Sequence, residues 1–578
     1  MATAEAIQAN TDFLHSTPDP SHIFTREDLS PAQQMVGNIA ADFMRTEVVP
    51  VVDQIYAKDW ALTRELLLKA GELDLLRVDI PEAYGGLGLD KVSSAYVGEQ
   101  IGIIPSFAGS LGAHTTIGTL PIVYFGTESQ KERYLPKLAS GEMIGAYALT
   151  EPGSGSDALA ASTKATLTED GKHYVLNGQK MWITNGGFAD LFTIFAKVDG
   201  EQFTAFIVER EMGVVSGREE PKLGLDGSST TALILDNVTV PVENVLGIVG
   251  EGHKVAFNIL NLGRLKLGTR NIGSAKQALT RAVRYAVERR QFGRAIAEFG
   301  LIKQKLAEMT VRCYIGDAMV YRTLGDVDRA LEAIDQREHH RVLKAIEGYA
   351  VECSINKVWT SEALATVVDE SLQVFGGYGY SQEFPAERAY RDARITRIYE
   401  GTNEINRLII TTRVLRNRVT AHFELDGQAS KDAKDATFSA ERDLLTRGKR
   451  LVNSLLTRAQ DYFGESLTTE QELLGFIADM IIELYAAESG VLRTEKLLLN
   501  RDQDSCAVPI DITRVYVADA FDRLQHAAKQ VANAMADDGE YGALISDIRL
   551  LSDQAPFDAV AARRRIADSV VHSGRYYL

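Results

Sequence analysis

The period of the apolar residues changes twice along this chain, and each change marks a boundary between layers. From Pro31 to about Ser140 apolar side chains recur at helical spacing, as in LTRELLLKAGELDLL, with a break at PEAYGGLG. Near Ala146 the helical period gives way. HYVLNGQKMWITNG, LFTIFAKV, FTAFIVE and TALILDNVTV are short runs rich in Val, Ile, Thr and aromatics, and turns are expected at Asn177–Gly178 and Asn185–Gly186. That reads as a compact antiparallel β domain. After VPVENVLG the helical period returns and predicts long helices over about 252–292, 297–328, 335–377 and 402–419. The polar stretch AHFELDGQASKDAKDATFSA reads as a linker over 420–437. Beyond it, Leu473, Ile477, Met480 and Leu484 fall on one helical face, so a second all-helical unit is expected. Before Leu29, Pro18 and Pro20 suggest a loose arm. The expected fold class is α+β: an N-terminal helical domain (29–145), a middle β domain (146–250), a helical bundle (251–419) and an extra helical domain (438–578).

A chain of 578 residues exceeds one hydrophobic core, which agrees with several units. Its net charge of −17 argues against nucleic acid as a general partner, although local basic clusters can hold a phosphorylated ligand. The three cysteines, Cys313, Cys353 and Cys506, have no metal-ligand spacing and read as reduced thiols; no metal is expected. No apolar run is long enough to span a bilayer, which takes about 18 residues or more. The first cationic side chain is Arg26, so the N-terminus lacks the pattern of a secretory or transit segment, and a cytoplasmic location is expected.

Five stretches can carry chemistry. In YALTEPGSGSD (Tyr147–Asp157), Gly153, Ser154 and Gly155 let backbone N–H groups approach a ligand, and Thr150, Ser154 and Ser156 add hydroxyls; it matches neither a Rossmann nor a P-loop fingerprint, and an ordinary Gly/Ser turn is an equal reading. In KMWITNG, Trp182 and Thr184 fall on one strand face and suit a planar heteroaromatic ring with a polar edge, or else a core Trp beside a satisfied Thr. ERRQFG puts two arginines at a helix end, where they complement the dipole or grip a pyrophosphate. LQVFGGYGY reads as a helix stop or a close backbone approach. In IYEGTNEINR, Glu400 stands between the apolar Ile398–Tyr399 pair and Gly401, before a helix starting near Thr402. A solvated first-turn acid is one reading. The other is a carboxylate whose pKa rises among apolar groups until it serves as a general base.

Together and in this order, LTEPGSGSD, MWITNG, ERRQFGR, FGGYGY and IYEGTNEINR resemble the acyl-CoA dehydrogenase flavoproteins over roughly 29–419. The resemblance implies FAD as cofactor. Tyr147, Leu149, Thr150, Gly155 and Ser156 would line it, Trp182 would stack beside it, and Ile183 and Thr184 would meet its edge. Thr402, Asn403 and Glu404 would complete the site, and Arg289, Gln291, Phe292, Gln373, Val374, Gly376 and Gly377 would reach it from the adjoining subunit. Ser156, Phe257, Asn261, Arg264, Tyr399 and Gly401 would contact the acyl-CoA substrate, with Glu400 as catalytic base. A minor branch of the family carries its base just before the matching arginine; here that position is Gly263. Phe299–Gly300, SLGAHTTIG and the extra helical domain resemble the very-long-chain branch, which implies a homodimer, where tail-less members form tetramers.

The implied reaction is α,β-dehydrogenation of a fatty acyl-CoA, long-chain by this branch, to a trans-2-enoyl-CoA, with electron-transfer flavoprotein as acceptor. An acyl-CoA oxidase on the same scaffold would make peroxide under air. A binding or assembly protein on the scaffold would leave its flavin unbleached by acyl-CoA. The linker shows no basic amphipathic face, which gives no support for membrane attachment. Gly109, Gly112 and Ala113 on a predicted helix leave room for a long acyl tail or allow close helix packing.

Overall fold

The computed structural model describes residues 12–335, 337–419, 437–537, 539, 541–551 and 556–578. The linker expected over 420–437 lies outside the described residues except at its last position. Five main helices make the N-terminal unit: Pro31–Phe43, Trp60–Glu72, Lys91–Ile101, Pro105–Gly112 and Glu128–Ser140. The first begins where the sequence demands. Ser30 Oγ accepts from Gln33 N while Gln33 Oε1 accepts from Ser30 N, and Pro31 lacks the amide that would otherwise be orphaned.

An eight-stranded sheet follows: β1 (Gly145–Ala148), β2 (Lys164–Leu167), β3 (His173–Thr184), β4 (Leu191–Val198), β5 (Gln202–Glu209), β6 (Val215–Glu219), β7 (Thr230–Pro241) and β8 (Val245–Leu246). Its order is β6-β7-β3-β2-β4-β5-β8, with β1 beside β4. The pairing is antiparallel as expected, except that β4 takes both β1 and β2 in parallel. Asn177–Gly178, expected as a turn, lies inside β3 at a bulge against β7, where the register shifts between Leu176 and Gly178. The left-handed freedom that favours Asn-Gly in hairpins also suits a bulge. Asn185–Gly186 does turn the chain, with Asn185 at φ 63°.

The bundle consists of Gly252–Glu288, Gly300–Glu332, His339–Gly348, Ala350–Phe375 and Asn403–Val419, with the shorter Pro385–Ala393 helix between the last two. The single helix expected over 335–377 is two, broken at Tyr349 (φ −99°, ψ 17°) after Gly348, a weak helix former. The helix expected to 292 stops at Glu288. Arg290–Gln291 and Arg294–Ala295 then form a tight hairpin around Phe292 and Gly293, both at positive φ.

Helices Ser439–Phe463, Gln471–Asn500, Ala507–Asn533, Tyr541–Leu550 and Ala559–Ser573 form the extra unit. Leu473, Ile477, Met480 and Leu484 are buried as their spacing predicts, in one continuous apolar cluster with bundle residues such as Ile272 and Met309. Polar links cross the same boundary: Trp359 Nε1 donates to Tyr516 Oη at 2.7 Å, and Arg322 pairs with Glu488 at 3.0 Å.

The arm before Leu29 is not loose over its described part. Phe13 and Leu14 are buried in the cluster shared with the extra unit. Asn453 Nδ2 donates to Leu14 O, Lys449 Nζ to Ser16 O, and the fully buried Arg493 pairs with Glu27 at 2.6 Å. Pro20 opens a short 3-10 turn, but the apolar Phe13 and Leu14 before the prolines and Glu27 after them anchor the segment. All three cysteines are buried free thiols. No helix among the described residues is long and apolar enough to cross a membrane.

Candidate active site

Glu400 sits at a left-handed turn: its φ is 58°, and that of Gly401 is 78°. Two consecutive residues in this region are uncommon, and a non-glycine there is held only by strong surroundings. Four groups supply them. Arg264 Nε donates to Glu400 O at 3.1 Å, and Asn406 Nδ2 to Gly401 O at 2.8 Å and Thr402 O at 3.0 Å. Lys357 Nζ donates to Gly401 O and Asn403 Oδ1, each at 2.7 Å. Thr402 Oγ1 accepts from Ile405 N at 3.2 Å and so caps the helix that begins at Asn403.

The carboxylate itself is turned away from this scaffold. Oε2 is buried with no hydrogen-bond partner among the described residues. It lies over Gly263, where an added Cβ would come within 2.8 Å of Oε2 and 3.1 Å of Cδ. Only glycine at 263 leaves the acid this position. Burial raises the Glu400 pKa above its ordinary value, against the opposing charges of Arg270, Arg264 and Lys357. Burial likewise pulls Lys357 down to about 7. Lys357, Asn406 and Arg270 escaped the sequence reading. The signal was a lone cation, Lys357, within the mostly apolar or small stretch SINKVWTSEALA, and two cations, Lys266 and Arg270, within LKLGTRNIGSA.

Across from Glu400 stands Tyr147 on β1. Its hydroxyl is buried and unpartnered, and both its own burial and the Glu400 charge push its pKa up. Past the end of β1, Thr150 O accepts from Met181 N at 2.9 Å, which brings that loop against β3 next to Trp182. Trp182 is 53% exposed at φ 61°, on a second bulge between Lys180 and Ile183. The bulge reverses the phase of the strand. Tyr174, Leu176 and Lys180 point inward before it; Ile183 points inward after it, leaving Trp182 outward and Thr184 half-buried on the same side.

The loop carrying Gly153, Gly155 and Ser156 is pinned by a buried ion pair: Lys180 Nζ to Glu151 Oε1, 2.7 Å, with side-chain exposures of 0% and 2%. Glu151 also accepts from Ser162 N at 2.6 Å and Thr163 N at 3.1 Å. An added Cβ at Gly153 or Gly155 would meet nothing, so the loop presents open backbone. Ser156 is exposed, while Leu149 and Ile183 are buried and offer the cleft only backbone.

The substrate-side residues gather on the Gly252–Glu288 helix, where Phe257 is 43% exposed and the buried Asn261 accepts from Arg264 Nη1 at 2.9 Å. Tyr399 lines a cavity of about 1110 Å³, space at its mouth included, between that helix and Pro105–Gly112. Glu404 is exposed in the first turn after the cap. The Asn403 side chain is buried and bound to Lys357, Ser361 and Glu362, so it braces the turn and leaves only its backbone to meet a cofactor.

The remaining residues form a separate pocket. Arg289, Gln291, Val374, Gly376 and Gly377 line it; Gln373 and Phe292 are exposed nearby, Phe292 at 94%. Arg289 follows Gly263 by 26 positions, roughly 39 Å along the helix at 1.5 Å per residue. One protomer therefore does not bring this set to Glu400.

Fold and site define a chain of helices, sheet and helices that holds a buried acid without a hydrogen-bond partner among the described residues near Tyr147 of the sheet, which also carries an exposed tryptophan. Family models described as acyl-CoA dehydrogenase N-terminal, middle and C-terminal domains match residues 30–142, 146–238 and 250–415, and a further acyl-CoA dehydrogenase C-terminal domain matches 449–549. The chain belongs to the acyl-CoA dehydrogenase family. It is 42% identical over 588 residues to a Bacillus subtilis (strain 168) protein named "Probable acyl-CoA dehydrogenase", covering 99% of each. It is 43% identical over 471 residues to the human mitochondrial very long-chain specific acyl-CoA dehydrogenase, covering 74% of this chain and 69% of that one. A crystal structure of an acyl-CoA dehydrogenase complexed with FAD from Bacillus anthracis superimposes with a TM-score of 0.95 at 43% identity, covering 98% of this chain and 99% of that chain.

Proposed function

We propose that this protein carries out α,β-dehydrogenation of fatty acyl-CoA, long chains included, to trans-2-enoyl-CoA, with FAD as cofactor and Glu400 as general base. The observation that carries this reading is the unpartnered Glu400 carboxylate over Gly263, raised in pKa by burial and set near the Tyr147 hydroxyl. The exposed face of Trp182, the hydroxyl of Tyr147 and the open Gly153–Gly155 backbone fit a large planar cofactor with polar edges. Tyr147, Thr150, Ser156, Trp182, Thr184, Thr402 and Glu404 would hold it in this protomer. Arg289, Gln291, Phe292, Gln373, Gly376 and Gly377 lie too far along the helix to join them and would serve the partner's cofactor in a homodimer.

Bound FAD would supply the acceptor for the hydride that leaves the β-carbon, chemistry that belongs to the cofactor. The chain's residues deal with the proton. Glu400 takes it from the α-carbon of the thioester. The Glu400 backbone N–H, which has no backbone acceptor among the described residues, would donate to the thioester oxygen as negative charge develops there. The cations Arg264, Arg270 and Lys357 keep the raised pKa from removing the base altogether. Because the base acts ionised, kcat/KM should rise with pH through a midpoint above the ordinary carboxylate value. Electron-transfer flavoprotein would then collect the electrons, in the cytoplasm on this reading.

Anaerobic bleaching of the bound flavin across an acyl-CoA length series, palmitoyl-CoA included, tests the proposal; no bleaching with any member would refute it. Peroxide formed in air at the turnover rate would favour the oxidase alternative. Gly263→Ala offers a finer check. Its methyl group would displace the Glu400 carboxylate, and misplacement by about 1 Å costs about 10²-fold. Stopped-flow flavin reduction should slow by that order while FAD content stays unchanged.

A further inference from the structure

The wall of the Tyr399 cavity is mostly apolar, with Val49, Ile104, Leu267, Leu364 and Val368 in it, but one helical face of that wall is polar, and Asp392 of the Pro385–Ala393 helix also lines it, bonded to Tyr56 and Leu225 N. Arg270, Ser274, Gln277 and Arg281 of the Gly252–Glu288 helix all line it, at spacings that put them on one helical face. Arg270 Nη1 donates to Ala108 O at 3.2 Å, but its Nε–H is buried without an acceptor; its charge acts on Glu400, yet it forms no direct ion pair with a carboxylate among the described residues. Arg281 lacks such a partner too; burial lowers its pKa, and only the Tyr56 hydroxyl offsets that. The missing side chain at Gly112 makes room for Arg270: a Cβ there would fall 1.9 Å from Nη1. Of the two readings of SLGAH, close packing therefore holds at Gly112, and what it admits is a guanidinium. Arg270 and Ala108 also line a second, mainly apolar cavity among Leu75, Val97 and Leu111, so their hydrogen bond stands between the two spaces.

Position makes this arginine relevant to the substrate. Gly263, under the Glu400 carboxylate, precedes Arg270 by seven residues. That is the same helical face, about 10 Å along the axis, and helical side chains lean back toward the N-terminus. An acyl chain with its α-carbon at Glu400 and its tail along this wall meets the guanidinium. A methyl terminus would leave those donors unpaired, whereas a carboxylate matches the guanidinium fork.

We propose that Arg270 is a specificity residue for the acyl group, and that the acyl-CoAs it selects carry a carboxylate at the far end of the chain. This rests on the dehydrogenase reading above and adds to it the chemistry of the tail. Arg281, farther along the same wall, serves longer members of the class.

The test pairs methyl-terminated acyl-CoAs with ω-carboxyacyl-CoAs of equal length, from about six to sixteen carbons, on the FAD-loaded full chain. Wild type should favour the ω-carboxy member at some length by at least roughly tenfold in kcat/KM, because a site built to bond a polar group rejects the analogue lacking it. Arg270→Met should reverse that ratio, and Arg270→Lys should restore part of it. Equal rates, or preference for the methyl-terminated member at every length in wild type, would overturn the inference without needing a variant. So would Arg270→Met slowing both members alike with a shifted pH profile, which would make Arg270 an electrostatic neighbour of Glu400 only. Failure of every acyl-CoA to bleach the flavin refutes the dehydrogenase reading itself, and this inference with it.

Discussion

Glu400→Gln will leave the protein yellow with FAD and slow flavin reduction by acyl-CoA by about 10⁴-fold, the upper end of what a positioned general base supplies. The substitution is nearly isosteric. Arg264, Asn406 and Lys357 hold the turn through backbone oxygens of Glu400, Gly401 and Thr402, so the left-handed geometry does not depend on the carboxylate. No second acid replaces it, since the facing position is Gly263. Acyl-CoA affinity should change little, which separates a lost base from a lost site. Single-turnover reduction and equilibrium binding of an unreactive thioether analogue measure the two. A variant reducing flavin near the wild-type rate would take Glu400 out of the chemistry.

Lys180→Met will destabilise the sheet by about 3–5 kcal/mol, because it strands the buried Glu151 carboxylate without its cation. Chemical denaturation should report that loss, and FAD should dissociate more readily, since Glu151 anchors the loop of Gly153, Gly155 and Ser156. Glu151→Gln combined with Lys180→Met should recover part of the stability, because no charge is then left unpaired. The pH dependence has a definite sign. The folded structure holds Glu151 at about 2, below its ordinary 4.5. The stability it contributes is present above the ordinary value and is lost as pH falls toward 2, so wild type and Lys180→Met should converge in acid. Unchanged denaturation midpoints at neutral pH would show that the pair is inert.

The change of apolar period made the layers legible; Thr150 comes against the Trp182 strand and Tyr147 comes near Glu400. What escaped were features set by partners far away in the chain. β3 was legible as a strand, but its phase reversal at Trp182 was not, because a bulge leaves no mark on composition. Asn177–Gly178 carried the same local chemistry as a turn, and pairing with β7 made it a bulge instead. Asn403 stood in the right motif, yet contact with Lys357, 46 positions earlier, turned it inward. Lys357 and Arg270 were hidden for the opposite reason: a cation in a mostly apolar helical stretch announces burial and not what it faces.

The docked arm ties the segment before Leu29 to helices made far later in the chain. Leu14 and Glu27 find Asn453 and Arg493 at separations of 439 and 466 residues. Synthesis must therefore pass Tyr485 and Arg493 before Phe13 and Glu27 can find these partners, long after the helices that follow the arm have formed. Closing so wide a loop is slow but adds little entropy beyond a shorter one. The arm thus acts as a late latch: it engages only once the Ser439–Phe463 and Gln471–Asn500 helices are in place, and it then resists their peeling away from the bundle.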